Sequence, residues 1–396
     1  MLIHFDNCRS LIFLPKPQLF RMLALFARGQ PLWHPLGFIS CTLAQGPDWA
    51  LKVHLWPMGT RLTKRPNWPI HDHSYRIESR VLHGALRNRV YSMVPGERFE
   101  RYRVDYESKA SSLTPTGQRT DLFLEKSAHQ ESDSLYVVEK GVFHNSFVPT
   151  SESTATVVLK TLRQPAMPLV IGRPFRVDMT LPLYSRISFP ESTFWDAVFM
   201  PPVSQPVIGL ETGVVRLERS QEESWAIEYA REVVKLKRIL GDHFCGAEHI
   251  GSTSIAGLDA KPIIDMMIAV PTMQLAQAVI HDLTKAGYLF RPDGSLPDRT
   301  YFNKREAGRD SHHISLTTKD SNFWAEKIVF RESLRSSKEL ADEYRLLKLY
   351  LSDKHPRDRV AYTNSKRDFV YRVLDLAYRS GNGDPLLLQK LKPKDG

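Results

Sequence analysis

The sequence predicts two domains of different fold class, an all-β barrel or sandwich followed by an α/β domain. The chain has 396 residues, which is too long for one ordinary hydrophobic core. Residues 50–165 contain many short segments rich in β-branched and aromatic residues, separated by turn-like groups and without helical spacing. After about residue 210, segments with helical spacing alternate with short strands, which is typical of an α/β fold.

The composition is that of a globular protein without a membrane span. Hydrophobic residues make up 42% of the chain and charged residues 25%. No apolar run approaches the ~20 residues that cross a bilayer, and the apolar N-terminal segment is interrupted by proline and basic residues, unlike a signal peptide. Cys8, Cys41 and Cys245 lie far apart, so we expect no disulfide framework and a cytoplasmic location.

The formal net charge of +10 is spread along the chain and forms no basic tail. Such a charge favours anionic ligands such as phosphates, and a solvated basic surface explains it equally well. We expect small-molecule partners, no specific nucleic-acid binding and no membrane partner. The sequence leaves the oligomeric state open.

A change in pattern near residue 200 places the domain boundary. Prolines recur between residues 165 and 206, and FMPPVSQPV is the stiffest part of this stretch. We therefore predict a first domain at residues 1–200, which includes an N-terminal extension and a proline-rich linker. The second domain is predicted at residues 208–380, and residues 381–396 as a frayed tail.

Histidines in the segment HDHSYRIESRVLHG, residues 71–84, point to a metal site. On a strand, alternate residues share a face, so His71 and His73 are expected to point together. Glu78 lies outside this alternation, and His144 in GVFHNSF comes from a distant strand. Neutral imidazoles with one carboxylate suit Fe(II), Mn(II), Ni(II) or Zn(II).

The same residues resemble the two sequence motifs of the cupins. His71, His73, Glu78 and Gly84 follow the spacing of the first motif, and GVFHN resembles the second. Residues 35–165 are closer still to cysteine-dioxygenase-type cupins, which are mononuclear iron thiol oxygenases. The resemblance implies a jelly-roll barrel in which His71, His73 and His144 hold Fe(II), with Glu78 as a fourth ligand or an anchor behind the ligands.

The chain departs from that family at two positions. Glu78 stands where some of those enzymes carry a crosslinked cysteine, and the arginine that grips the substrate carboxylate is absent from FISCTL. Metal binding is unaffected by these departures, whereas a thiol or amino-acid derivative as the substrate rests on the resemblance alone. Many cupins are instead isomerases, sugar-binding modules or sensors.

A second candidate site lies in HIGSTSIAGLDAKPIID, residues 249–265. A Gly-Ser pair after a strand, here Gly251 and Ser252, lets the backbone approach a phosphate closely. Lys261 adds a positive charge, and Asp265 on the next strand could hold Mg²⁺ against the phosphates. The pattern predicts a nucleotide or phosphate site with Asp265 as its catalytic carboxylate.

The blocks around this segment resemble the GrpB family over residues 208–380. They include RTYFNK, HHISL, FWAEKIVFRESLR, EYRLLK and YTNSKRDFV. The resemblance implies the fold of the nucleotidyltransferase superfamily, whose transfer step needs two or three carboxylates. Met267 stands where a second carboxylate is expected, and Glu248 or Asp310 are the alternatives. Transfer, binding without transfer and a purely structural turn all remain open.

Together these patterns predict a bifunctional metalloprotein. Its first domain is a thiol-dioxygenase-type cupin, and its second domain binds or transfers a nucleotide or phosphate group with Mg²⁺. The alternative is a non-catalytic sensor of a metal or small ligand that carries a degenerate nucleotidyltransferase domain.

Overall fold

The computed structural model describes residues 10–64, 66–107, 110–163, 165–174, 184–199, 208–381 and 383–391. The chain divides into two compact units, residues 1–22 with 26–204 and residues 23–25 with 205–396. The first unit is mostly β and the second is α/β, as predicted. Within the predicted linker FMPPVSQPV, residues 200–207 lie outside the described residues, as do residues 382 and 392–396 of the predicted tail.

The described strands of the first unit form two six-stranded sheets. In chain order they are Leu32–Trp33 (β1), Ile39–Gln45 (β2), Ala50–Trp56 (β3), Ile70–His71 (β4), Arg76–His83 (β5), Leu86–Glu107 (β6), Ala110–Gln130 (β7), Leu135–Val138 (β8), Phe143–Phe147 (β9), Thr154–Thr161 (β10), Leu169–Gly172 (β11) and Tyr184–Ser185 (β12). Sheet 1 has the order β1-β2-β3-β10-β5-β8, and sheet 2 has the order β11-β4-β9-β6-β7-β12. No ladder between described strands joins the two sheets, so these strands do not close into one continuous barrel.

Alternation along β3 shows why this strand separates a core from a cavity. Leu51, Val53 and Leu55 are fully buried on one face. Lys52 and His54 lie on the other face, which lines a cavity. A strand with one apolar face and one polar, semi-enclosed face has apolar and polar residues in alternation, as in WALKVHLW.

Gly84 closes the histidine-rich segment because no other residue fits there. Its φ of +73° lies in the left-handed region, and an added Cβ would lie 2.3 Å from the carbonyl oxygen of Ser153. The chain then enters a long hairpin formed by β6 and β7, which pair antiparallel with three register shifts.

The second unit contains a five-stranded sheet. Its strands are Gly246–Ile250 (β13), Ile264–Ala269 (β14), Tyr288–Phe290 (β15), Thr300–Glu306 (β16) and Arg309–Thr317 (β17), in the order β13-β14-β17-β16-β15. Strands β14 and β17 pair in parallel, and the other pairs are antiparallel. This order places β14 between β13 and β17, and the predicted phosphate segment runs from the end of β13 to the start of β14.

The described helices follow the chain order. They are Lys16–Phe26 (α1), Glu191–Val198 (α2), Glu222–Leu240 (α3), Met273–Ala278 (α4), Ile280–Lys285 (α5), Asn322–Ser336 (α6), Lys338–Lys354 (α7), Arg359–Asn364 (α8), Arg367–Ser380 (α9) and Pro385–Leu388 (α10). Helix α3 begins at Glu222 after Gln221, and no side chain caps its first turn. None of the described helices combines the length and the apolar composition that a membrane span requires.

Candidate functional sites

Three histidines of the first unit converge in sheet 2. One ring nitrogen from each of His71, His73 and His144 lies within 4.8 Å of the others. His71 on β4 and His144 on β9 are direct cross-strand partners, and His73 follows just after the end of β4. The strand ladder therefore brings together residues that are more than seventy positions apart in the sequence.

Hydrogen bonds orient two of these rings. Nδ1 of His71 donates to the carbonyl oxygen of Pro69 at 2.9 Å, and Nδ1 of His144 donates to Oδ1 of Asn88 at 2.9 Å. Both bonds leave Nε2 as the nitrogen with an available lone pair. Nε2 of His144 lies 3.0 Å from Nε2 of His73. Second partners of this kind orient ligating histidines in known metal sites.

Burial keeps the three imidazoles neutral, which is the form that binds a metal. Burial is the largest cause that lowers the pKa of His71, to about 4, and the charge of Lys160 lowers it further. The pKa values of His73 and His144 are held well below the usual range, again mainly by burial. With metal–nitrogen bonds of about 2.0–2.1 Å, neighbouring ligand nitrogens lie about 3 Å apart, and the Nε2 atoms of His73 and His144 have this spacing.

The histidines open into a cavity of about 500 Å³. Its walls are aromatic and cationic as well as polar, and both sheets contribute to them. The lining includes Phe38, Trp56, Trp68, Tyr75, Tyr106 and Tyr136, together with Lys52, His54, Lys160 and Arg186. A cavity of this size accommodates a small organic molecule beside the histidines.

Glu78 is not brought to the histidines. Its carboxylate pairs with Arg76, and the neighbouring Ile77 lines the cavity where Glu78 does not. Because successive side chains of β5 alternate between faces, a strand that points Ile77 into the cavity points Glu78 away from it. One buried oxygen of Glu78 has no hydrogen-bond partner among the described residues.

The sequence motifs did not identify several residues that line the cavity or support its histidines. His54 lies on the cavity wall, and its ring centroid is 4.6 Å from the ring centroid of Phe38. Lys52 and Lys160 line the same cavity, and Asn88 holds His144. Alternation in WALKVHLW and in TATVVLK was the available signal, but it does not say which face encloses a cavity.

In the second unit, the structure brings Gly251 against Asp265. Asp265 lies beside Ile250 on β13 and His313 on β17. Nδ1 of His313 donates to Oδ1 of Asp265 at 2.8 Å. Burial alone would raise the pKa of Asp265, but this hydrogen bond and nearby lysines lower it, so the carboxyl is ionised. Gly251, with φ of +69°, begins a short 3₁₀ turn over Ser252–Ser254.

Lysines flank this carboxylate. Nζ of Lys261 lies 5.3 Å from the ring centroid of Tyr362, and Nζ of Lys366 lies 4.2 Å from the same centroid. Burial is the main cause that lowers their pKa values, to about 8 for Lys261 and about 7 for Lys366. The predicted phosphate ligand Lys261 therefore has a second lysine near it, Lys366, which lies in the block YTNSKRDFV of the GrpB resemblance.

The three positions considered for a second metal-binding carboxylate do not provide a free one beside Asp265. Met267 is fully buried and packs with Ile250 and Phe323 in an apolar cluster. Glu248 accepts a hydrogen bond from Arg331 at 2.7 Å. Asp310 is paired with Arg305 and Arg359, at 2.9 and 2.8 Å. Across the described parts of the chain, the three histidines form the only group of three or more potential metal ligands.

Comparison with known proteins identifies the second unit. A protein-family model described as GrpB protein matches residues 215–376. The glutamate-rich protein GrpB of Alkalihalophilus pseudofirmus is 30% identical over 173 residues, which are 43% of this chain and 99% of that protein. The chain belongs to the GrpB family. The GrpB match begins at residue 215, so the residues that form the histidine cavity lie outside the matched region.

Solved structures resemble each unit more distantly. The crystal structure of the conserved GrpB protein from Enterococcus faecalis is 27% identical, with a TM-score of 0.39, and covers 42% of this chain and 99% of that chain. The Schizosaccharomyces pombe Cnp3 cupin domain is 10% identical, with a TM-score of 0.19, and covers 31% of this chain and 60% of that chain. At these TM-scores, neither likeness defines the fold.

Proposed function

We propose that the first unit is a cupin-type metal centre that acts on a small molecule. The observation that carries the proposal is the convergence of His71, His73 and His144 at the wall of a cavity. Three neutral imidazoles suit Fe(II), Zn(II) or Ni(II), and Glu78 is not needed as a ligand. Iron is the metal that the cysteine-dioxygenase-type motif favours.

The chain's own residues account for much of what such a centre needs. Pro69 and Asn88 fix the ring orientations of His71 and His144. The aromatic walls lower the local dielectric constant, which strengthens electrostatic interactions inside the cavity. A redox-active metal held by three protein ligands would supply open positions for dioxygen and substrate.

Cobalt titration tests the metal centre directly. We expect wild-type protein to bind one equivalent of Co²⁺ with visible d–d absorption, and His71→Ala, His73→Ala and His144→Ala to lose it. His129, which is exposed on β7, provides a matched control, and His129→Ala should bind like the wild type. Equal binding by all four variants would refute the proposal. Dioxygen uptake by the iron-loaded protein over a panel of thiols and amino-acid derivatives then separates an oxygenase from a ligand sensor.

The GrpB unit has a second proposed function, which is binding of a nucleotide or another phosphate compound without transfer. Lys261 and Lys366 supply positive charge beside the Gly251–Ser252 turn. Among the predicted carboxylates that the structure describes, Asp265 alone is left to support Mg²⁺ there, since Glu248 and Asp310 are paired with arginines and the buried Met267 offers no oxygen. A lone carboxylate cannot hold the paired metals of a nucleotidyltransferase.

Pyrophosphate binding and nucleotide turnover test this second function. We expect calorimetry to show pyrophosphate binding that weakens at least tenfold in Lys261→Met and Lys366→Met. The exposed Lys285 gives a control, Lys285→Met, that should bind normally. We expect no consumption of ATP with Mg²⁺. Turnover that disappears in Asp265→Asn would instead establish nucleotidyl transfer.

A further inference from the structure

Two lysines face the histidines from the opposite sheet of the first unit. On adjacent antiparallel strands, Lys52 of β3 pairs with Val158 and Lys160 of β10 pairs with Ala50. The two lysines are therefore diagonal neighbours on the face that lines the cavity. Diagonal neighbours lie about 7–8 Å apart, within reach of one another's long side chains.

Neither amine has a carboxylate partner among the described residues. Nζ of Lys52 donates to Oγ1 of Thr42 at 2.8 Å, and Nζ of Lys160 lies 4.7 Å over the ring of Tyr75. Arg186, which also lines the cavity, forms no ion pair with a described residue. Like charges on one semi-enclosed face repel, and a stable protein places them there at a cost to folding.

The whole cavity has the same imbalance of charge. The cationic lining residues are Lys52, Lys64, Lys160, Arg163 and Arg186, and the acidic ones are Asp48 and Asp72. One oxygen of Asp72 already accepts the backbone N–H of Leu169 at 2.6 Å. The histidines are neutral, and a divalent metal would add further positive charge.

We propose that the cavity takes a small molecule with two negative charges, bound through Lys52 and Lys160 opposite the three histidines. This inference rests on the proposed metal centre and names the class of its substrate. The two candidate sources of the charge are a dicarboxylate and a phosphate monoester. Arg186 is placed to contribute to the same site.

Burial and mutual repulsion destabilise the charged form of both lysines when no anion is bound. Burial is the main cause that lowers the pKa of Lys160 to about 7, and the charges of Lys52 and Arg186 lower it further. Burial likewise lowers the pKa of Lys52 to about 8. A bound dianion would reverse the mutual repulsion and stabilise both ammonium groups.

Calorimetric titration of the zinc-loaded full chain tests the proposal. The probes are malonate and methyl phosphate as dianions, acetate as a monoanion, and malonamide as a neutral analogue. We expect one of the dianions to bind at least tenfold more tightly than acetate, and malonamide not to bind. The dianion that binds more tightly distinguishes a carboxylate from a phosphate substrate.

Variants assign the binding to the two lysines. Lys52→Met and Lys160→Met should each weaken dianion binding at least tenfold, while Lys160→Arg restores most of it. Lys126 is exposed on β7 outside the cavity, so Lys126→Met should bind like the wild type. Bound zinc is measured in every sample, because full zinc content with failed dianion binding refutes only the anion site. Absence of zinc in wild-type protein refutes the metal centre instead. Wild-type affinity for dianions in both methionine variants would overturn this inference.

Discussion

At the residue scale, the amide of Asn88 determines how His144 presents itself to a metal. The side chain of Asn88 is buried, and its Oδ1 accepts the Nδ1–H of His144. This bond selects the tautomer with a free lone pair on Nε2, which points toward His73. The sequence motif contains only the ligands, so a residue that orients a ligand from a neighbouring strand could not be found from it.

We expect Asn88→Ala to weaken metal binding about 10–100-fold, because the buried Nδ1–H of His144 loses its acceptor and the ring loses its orientation. Asn88→Asp keeps an acceptor at the same position and should retain most of the affinity. Competition with a chromophoric chelator measures both constants. Equal affinity in Asn88→Ala and the wild type would show that the bond has no role in positioning.

The charge on Lys160 gives a prediction about pH and stability. Its pKa in the folded protein is about 7, against 10.5 for an ordinary lysine, mainly because of burial. Between these values the unfolded chain holds more protons than the folded one, so the contribution of Lys160 to stability rises with pH across this window. Below pH 7 its buried charge is destabilising by a constant amount.

Urea unfolding of the wild type and Lys160→Met, without added anions, checks this account. We expect the variant to be the more stable protein at pH 6, and its advantage to shrink steadily as the pH rises toward 10. Malonate should remove the advantage at pH 6 by stabilising the wild type alone. A difference between the two proteins that does not change with pH would contradict the assignment.

At the element scale, strand alternation predicted part of the histidine cluster and did not place Glu78. The pairing of β4 with β9 confirms that His144 returns to His71. Glu78 could not be placed from the sequence, because β5 is buried on both faces and alternation alone does not show which face lines the cavity. The sequence also predicted a jelly-roll barrel, whereas the described strands form two separate sheets, because strand order depends on long-range pairing that strand patterns do not encode.

The turn after β13 depends on Gly251 for two reasons that can be separated. Gly251 has a φ of +69°, and an added Cβ would lie 2.3 Å from Oδ2 of Asp265. Gly257, six residues later, has a similar φ of +71° but open space where its Cβ would be. The two glycines therefore share the backbone strain, and only Gly251 adds a steric clash.

We expect Gly251→Ala to lower the free energy of unfolding by more than Gly257→Ala, whose cost should be about 1 kcal/mol from backbone strain alone. The clash should bring the cost of Gly251→Ala to about 3 kcal/mol and displace Asp265 from His313. Chemical denaturation measures both variants. Equal losses would mean that the turn relaxes without disturbing Asp265.

At the scale of the whole molecule, the chain joins a GrpB unit to a mostly β unit that carries its own candidate site. The composition and the change from strand spacing to helical spacing were sufficient to predict this division. The motif blocks predicted the GrpB family, which the comparisons establish. The cavity charges were not predictable, because lysines that meet across a sheet are more than a hundred residues apart in the sequence.

The metal content of the full chain, purified without added ions and without a metal-chelating tag, tests the central claim most directly. Elemental analysis should find about one equivalent of a divalent transition metal in the wild type and in Glu78→Gln, and almost none in His144→Ala. A wild-type protein without metal, or a His144→Ala variant that retains as much metal as the wild type, would contradict the account.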